Sequence, residues 1–445
     1  MDLFTSFLAR FPARVMLFYW VCFMFPFPFD LIGLPFQLIE PKEQPAWMKT
    51  PAEYFGKASM WVYTTKNEVC QWAGPQFFGE KVTIQMTGSG DTMRAYIGCF
   101  CAAGIATGLA LVWSFLMLVL RNRAISWNGD AWLHSVVRVI VRFYLMQMLF
   151  SYGFAKVFPL QFQPPNSFRL NQQLGDMSPM GLLWTFMGFS TPYQMFTGAI
   201  EVLGGLLLIT RRTTLAGALV TIVAMTQIFA LNMCFDVPVK LYSFHYLVMA
   251  LFLAAPDMPR LFSIFILGRA APAQPFPRLL GSLVCHRLAY TFRTLLVLAM
   301  LYGQIQVGYK RWNDTYGGPP TPVTGRWERV SLQIDTKDAS PNDPLNWKFL
   351  DFVNKSMVRI TSQNAPMTVY RTAWSADGNL LTLTRFTGQA WNAQLTFALP
   401  APDKFELHGT INGKALKATF KPVPEKKYEL TNRSFHWIQE MPYNR

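Results

Sequence analysis

Residues 132–158 read WLHSVVRVIVRFYLMQMLFSYGFAKVF. A helix of that length rises roughly 40 Å at ~1.5 Å per residue, more than the ~30 Å of a bilayer's hydrocarbon core. Its apolar residues are Val, Leu, Ile, Phe and Met, yet it also carries His134, Arg138, Arg142, Tyr152 and Lys156. At ~100° per residue these five fall within a sector of ~80°. Ionisable groups at membrane depth cost ~2.5–3.5 kcal/mol each at a helix centre. A stripe of them therefore faces a bundle interior and not lipid. The stretch reads as a membrane-spanning helix with one polar face, and the fold is built around it.

Similar apolar runs lie on both sides. Spans are expected at 14–38, 93–120, 132–158, 179–209, 215–235, 241–255 and 290–308, about seven in all. The sixth is short, and Pro259 with Arg260 favours an interfacial segment after it. Charged residues make up only 15% of the 445-residue chain, well below the ~25% of soluble proteins. The net charge of +15 does not point to nucleic acid, because the arginines sit in short loops between apolar runs. The aromatic run Phe23, Phe25, Phe27 and Phe29, without a small-residue cleavage site, favours an uncleaved first helix over a signal peptide.

Loop charges set the orientation. Arg10 and Arg14, Arg121 and Arg123, Arg211 and Arg212, and Arg260, Arg269, Arg278 and Arg287 share one side if there are seven spans. The alternate loops hold Glu40, Glu43, Asp176 and Asp236. By the excess of positive charge inside, the N-terminus is expected in the cytoplasm and everything after Lys310 outside it. A bacterial-type inner, or plasma, membrane is the expected location.

After the last span, residues 313–324 are rich in Pro and Gly and read as a linker. Beyond them the periodicity alternates, as in Val330-Ser331-Leu332-Gln333-Ile334, and Asp377-Gly378 and Asn412-Gly413 are hairpin turn signals. Seven or eight strands fit between Gly325 and Trp437, closing as an antiparallel barrel or sandwich. Gly325-Arg326-Trp327 resembles the opening G-x-W of lipocalin-type barrels, which implies a ligand-binding barrel as an alternative to a packed one. The fold class is thus a membrane all-α helical bundle plus a C-terminal antiparallel β barrel or sandwich.

Two polar clusters are expected within the spans. Ser190, Gln194, Thr197 and Glu201 share a ~60° face of the fourth. Glu201 lies ~12 Å from the cytoplasmic end at residue 209, and Arg138 and Arg142 lie ~9 and ~15 Å from Trp132 on the same side. Glu201 is therefore expected to pair with Arg142 or Arg138. Near the outer face Lys156, Asn232, Asp236 and His245 approach one level, where a carboxylate, an imidazole and an amine could relay protons or hold a polar head group. Scattered ligands of this kind without a local motif do not make a metal site. Thr87-Gly88-Ser89-Gly90-Asp91-Thr92 lacks the pattern of a phosphate loop and reads as a helix cap. The six cysteines include no C-x-x-C, and a Cys70–Cys234 disulfide stays open.

Tyr152-Gly153-Phe154-Ala155-Lys156-Val157, then Gly198-Ala199-Ile200-Glu201-Val202-Leu203-Gly204-Gly205-Leu206-Leu207-Leu208 with Arg211-Arg212, and Phe235-Asp236-Val237-Pro238-Val239-Lys240 followed by His245 together resemble the DoxX-like membrane proteins. The resemblance covers residues 132–255. It implies a four-helix membrane bundle, with Glu201 and Lys156 as the positions to carry over. Some members are described as subunits of thiosulfate:quinone oxidoreductases and others are linked to redox stress. The chain departs from that pattern by its two extra N-terminal spans, its seventh span and its β-domain, and by lacking the C-x-x-C of related thiol–quinone bundles.

The expected organisation is two N-terminal helices with an extracytoplasmic loop (1–130), a DoxX-like four-helix core (131–260), a cytoplasmic or interfacial segment with the seventh helix (261–312), the linker (313–324) and an extracytoplasmic β-domain (325–445). The expected function is a quinone-linked redox component. Glu201 and His245 would handle protons, and His134, Arg138, Arg142, Tyr152, Lys156, Gln194, Asn232 and Asp236 would line the quinone site. Without haem, flavin or iron–sulfur motifs, electrons would come from a redox partner protein or a small donor. The alternative is a non-enzymatic membrane scaffold, or a lipid- or ligand-binding protein, that displays the β-domain.

Overall fold

The computed structural model describes residues 3–442 apart from 34–35, 37–38, 40–43, 85–86, 123–127, 273–282, 318–322, 342, 365–366, 376–378, 386–391, 425–427 and 434; the side chains of 3–9, 121–122, 283–286 and 392 lie outside it too. Arg121, Arg123 and Arg278 of the basic loops, Glu40 and Glu43, Cys285, residues 318–322 of the linker and the Asp377-Gly378 turn therefore fall outside the described side chains.

The helices are α1 (Leu3–Met24), α2 (Ala46–Ala73), α3 (Met93–Asn122), α4 (Gly129–Val157), α5 (Ser167–Asn171), α6 (Pro179–Phe189), α7 (Thr191–Leu208), α8 (Thr214–Cys234), α9 (Lys240–Ala254), α10 (Met258–Phe265), α11 (Leu283–Tyr316) and α12 (Glu429–Asn432). Among the described residues six stretches are long and apolar enough to cross a membrane: Arg10–Gly33, Met93–Leu120, Gly129–Val157, Thr214–Cys234, Lys240–Phe265 and Arg287–Tyr316. Their outward surfaces are apolar, with Val112 at 68% and Val223 at 72% exposure, as lipid-facing positions require.

Two expectations change here. The fourth apolar run, 179–209, is not one helix. It breaks at Ser190, whose extended backbone separates α6 from α7. Pro192 explains the break, because its missing N–H is tolerated in the first turn of a new helix but not in a helix interior. The loop before the second span also holds a 28-residue helix, α2. Its charges support it locally, as in the Glu53–Lys57 pair one turn apart, and its mixed polarity hid it from a search for apolar runs.

The chain divides into two compact units, Met1–Phe158 with Met195–Gly308, and Pro159–Gln194 with Tyr309–Arg445. In the first, α4 is central. Its Leu133, Val137, Val141, Leu145 and Leu149 recur every four residues and are buried against α1, α8, α9 and α11 through Trp20, Met225, Met249 and Met300. Arg14 of α1 clasps Asp130 at the start of α4 with two bonds (2.9 and 2.8 Å) and donates to Ser114 of α3 at 2.7 Å. Three helices are thereby tied at one end.

In the second unit, β1 (Gly325–Ile334), β2 (Lys337–Asp338), β3 (Trp347–Asn354), β4 (Met357–Ser362), β5 (Thr368–Trp374), β6 (Leu380–Arg385), β7 (Asn392–Ala401), β8 (Lys404–Ile411) and β9 (Lys414–Pro422) form an antiparallel meander. β1 pairs with both β3 and β9, so eight strands close as a barrel and the two-residue β2 hangs on β1. Asn412 (φ 49°) and Gly413 (φ 84°) make the tight turn between β8 and β9 that their sequence signals. Trp327, Trp347, Phe352, Phe405 and Phe420 fill the interior, the packing that an eight-stranded barrel is just wide enough to hold.

Candidate functional site

The close approach of α4 and α7 builds the central charged site. A Cβ on Gly153 would stand 2.9 Å from the Gly198 carbonyl oxygen, and one on Gly198 would stand 2.7 Å from the Lys156 Cβ. Two turns on, Gly205 packs against the Phe150 ring. Small residues of this kind let membrane helices touch backbone to backbone. The register that results puts Lys156 beside Glu201. The ammonium reaches both carboxylate oxygens, at 2.8 and 3.0 Å, and the two residues are 6% and 2% exposed. Glu201 thus pairs with Lys156 and not with Arg142 or Arg138. The depth estimate assumed an unbroken helix over 179–209 and did not include the glycine contacts that fix the register.

Around this pair lies a row of tyrosines. The Lys156 ammonium is 5.8 Å from the centre of the Tyr152 ring. Tyr152 and Tyr242 each lie 6.3 Å from Tyr246, and Tyr144 is 6.4 Å from it. Tyr242 is 6.4 Å from Phe23 of α1, which stacks on His245 at 4.2 Å with the rings 1° from parallel. The Tyr19 hydroxyl is 2.6 Å from His245 Nε2, while Nδ1 is 2.7 Å from the Leu241 carbonyl oxygen, so both ring nitrogens are engaged. The tautomer follows from geometry: Nδ1 must carry the proton to donate to a carbonyl, which leaves Nε2 to accept from the tyrosine.

The other residues of the expected outer cluster have partners of their own. Asn232 donates to Ser243 at 3.0 Å inside the α8–α9 pair. Asp236, in a left-handed conformation at φ 50°, accepts from Lys240 at 2.8 Å and is exposed. The expected cap Asp91 does cap a helix, though not its neighbour. Its carboxylate accepts the Lys240 and Leu241 backbone N–H groups at the start of α9, both at 2.9 Å, while Thr92 accepts the Ala95 N–H. Gln194 accepts the Phe162 backbone N–H at 3.1 Å in the second unit. Cys70 is buried, Cys234 is exposed, and both are free thiols. Among the described residues no group of three or more His, Cys, Asp or Glu could hold a metal.

At the other end of α4, His134 meets Phe252 edge-on at 5.6 Å and Arg138 donates to the Leu253 carbonyl at 2.8 Å. Arg138 and Arg142 border a recess of about 330 Å³ that Arg211, Arg212 and Arg260 also line. In the sequence the last three, with Arg14, serve to orient the chain, and Arg211-Arg212 also belong to the DoxX-like resemblance; none of them marks a site. Tyr19 was missed as well, because a single hydroxyl in an apolar helix carries no periodic signal.

In the barrel, Arg326, Asp351 and Arg359 stand in register across β1, β3 and β4. Arg359 donates to Asn166 at 3.3 Å and lies 5.1 Å from the Phe168 ring, so the start of α5 covers this row. Arg326 Nε is 3.4 Å from Asp351 Oδ1 without hydrogen-bond geometry, and both carboxylate oxygens are buried with no hydrogen-bond partner among the described residues. Burial pushes the Asp351 carboxyl up to about 6, against the pull of the two guanidinium groups.

No family model matches the chain, and no solved structure matches it. It is 32% identical over 126 residues to the uncharacterized protein YwoB of Bacillus subtilis (strain 168), an alignment that covers 28% of this chain and 79% of YwoB. With that share of YwoB covered at that identity, the chain belongs to the family of YwoB.

Proposed function

We propose that this protein is a DoxX-like component of quinone-linked redox chemistry in a bacterial-type plasma membrane, with its N-terminus in the cytoplasm and the β-barrel outside. The observation that carries the reading is the row of proton-exchanging groups inside the bundle, from Glu201–Lys156 past Tyr152, Tyr246 and Tyr242 to His245–Tyr19. Reduction of a quinone to a quinol takes two electrons and two protons. Glu201 and His245 are the groups to exchange the protons, and the tyrosine rings offer flat apolar faces and hydroxyl donors to a quinone ring. Electrons come from a partner protein or a small donor. The bilayer supplies the quinone.

The test is organic extraction of the purified protein and mass spectrometry of co-purified quinone, with Glu201→Gln and Lys156→Ala beside the wild type. Near-stoichiometric quinone that either substitution removes is the expected result. A second reading, a non-enzymatic scaffold or lipid-binding protein displaying the barrel, is favoured by one observation: Lys156 and Glu201 satisfy each other at both carboxylate oxygens without a ligand. It expects no quinone in any of the three proteins, and variants altered in stability alone.

A further inference from the structure

The recess at the far end of α4 is walled by Arg138, Arg142, Arg211, Arg212 and Arg260, with Asp257 as its single carboxylate among the described residues. Guanidinium groups stay protonated at all physiological pH values, so five of them around one cavity repel one another unless an anion sits among them. For Arg260, Arg138 and Arg142 the partners among the described residues are one carboxylate, one backbone carbonyl and one hydroxyl. Asp257 stands 3.6 Å from Arg260. Arg138 spends a donor on a backbone carbonyl. Arg142 is the most telling. It is 6% exposed, its Nη1 has only the Thr214 hydroxyl at 3.5 Å, and its Nε is buried without a hydrogen-bond partner among the described residues. A buried guanidinium with unspent donors on the wall of an open recess is costly when empty and favourable when an acceptor-rich anion fills the recess.

We infer that this recess is a binding site for a multiply charged phosphate-bearing anion. Several planar forks converging on one volume match the geometry of phosphate oxygens, which accept paired N–H bonds from arginine. The recess sits between helices that are long and apolar enough to span a membrane, and Leu215 and Leu253 also line it. Both an anionic phospholipid headgroup and a free polyphosphate supply the same chemistry. The site is separate from the Lys156–Glu201 pair and does not depend on the quinone reading.

The experiment uses the purified 445-residue chain in neutral detergent. Inorganic pyrophosphate is titrated in one arm, and cardiolipin against phosphatidylcholine in the other, reading melting temperature and, by native mass spectrometry, bound lipid. Binding of pyrophosphate, or of cardiolipin over phosphatidylcholine, is expected, with Kd raised at least about tenfold by Arg138→Gln or Arg212→Gln. Arg212 is exposed, so its substitution keeps the test valid if a variant at the buried Arg142 does not fold. Pyrophosphate alone identifies the soluble source, and cardiolipin alone the lipid. No binding in either arm, or binding that both substitutions leave unchanged, overturns the assignment.

Discussion

At the scale of single residues, the placement of each buried charge follows from what it touches. Lys156 and Glu201 neutralise each other inside the bundle, and Arg14 and Asp130 do so at its end. Asp351 is different. It is 2% exposed between two arginines, yet neither carboxylate oxygen gains a hydrogen bond among the described residues. Its carboxyl holds a proton to about pH 6 in the folded barrel, against an ordinary value of 3.8. The folded state therefore binds that proton more tightly than the unfolded chain does. The stabilisation is complete below about pH 4 and is lost as pH rises through about 6, with a size on the order of 3 kcal/mol at 1.36 kcal/mol per pH unit. Asp351→Asn is expected to melt near the wild type at pH 4 and above it at pH 7.5, followed by near-ultraviolet circular dichroism of the barrel tryptophans. A difference that does not change with pH would mean that the carboxylate is ionised and paired throughout.

At the scale of elements, the contact of α4 with α7 decides the site. The helical face shared by Gln194 and Glu201 was legible from spacing, as was the polar stripe of α4. Their register was not. It depends on Pro192 ending one helix and starting another, and on Gly153 and Gly198 letting the backbones meet. Gly198→Leu puts a side chain where the Gly153 carbonyl oxygen lies 2.6 Å from the first added carbon. It is expected to cost at least ~1–3 kcal/mol and to lower the melting temperature by several degrees. Gly104→Leu, with open space around its Cβ, is the matched control and should stay within about 0.5 kcal/mol of wild type. Equal losses in both variants would show that the close approach contributes nothing.

At the scale of the whole molecule, the number of crossings fixes which side of the membrane carries the barrel. The six candidate spans do not include α7, which holds Glu201 and meets α4 along its glycines. If α7 crosses, the count is odd and the termini lie on opposite sides. The excess of arginine in alternate loops favours that parity, because loop positive charge biases orientation. An alkaline phosphatase fused after Arg445 is accordingly expected to be active, and one fused after Arg212 inactive. An inactive fusion after Arg445 would give six crossings and put the barrel in the cytoplasm.

Elements whose signal is local were legible in the chain of residues alone. Apolar runs long enough for a bilayer mark the spans, alternation and the Asn412-Gly413 turn mark the barrel, and helical spacing gathers the polar residues of α4 onto one face. Tertiary structure alone decided which of these residues meet. Glu201 found Lys156 because a proline break and a glycine contact set the register of two helices. His245 found Tyr19, 226 residues away in the chain, and Asp91 capped a helix that begins 149 residues later. The arginines of separate loops became one recess. Pairings of this kind depend on distances between segments far apart in the chain, and helical or strand periodicity carries no information about them.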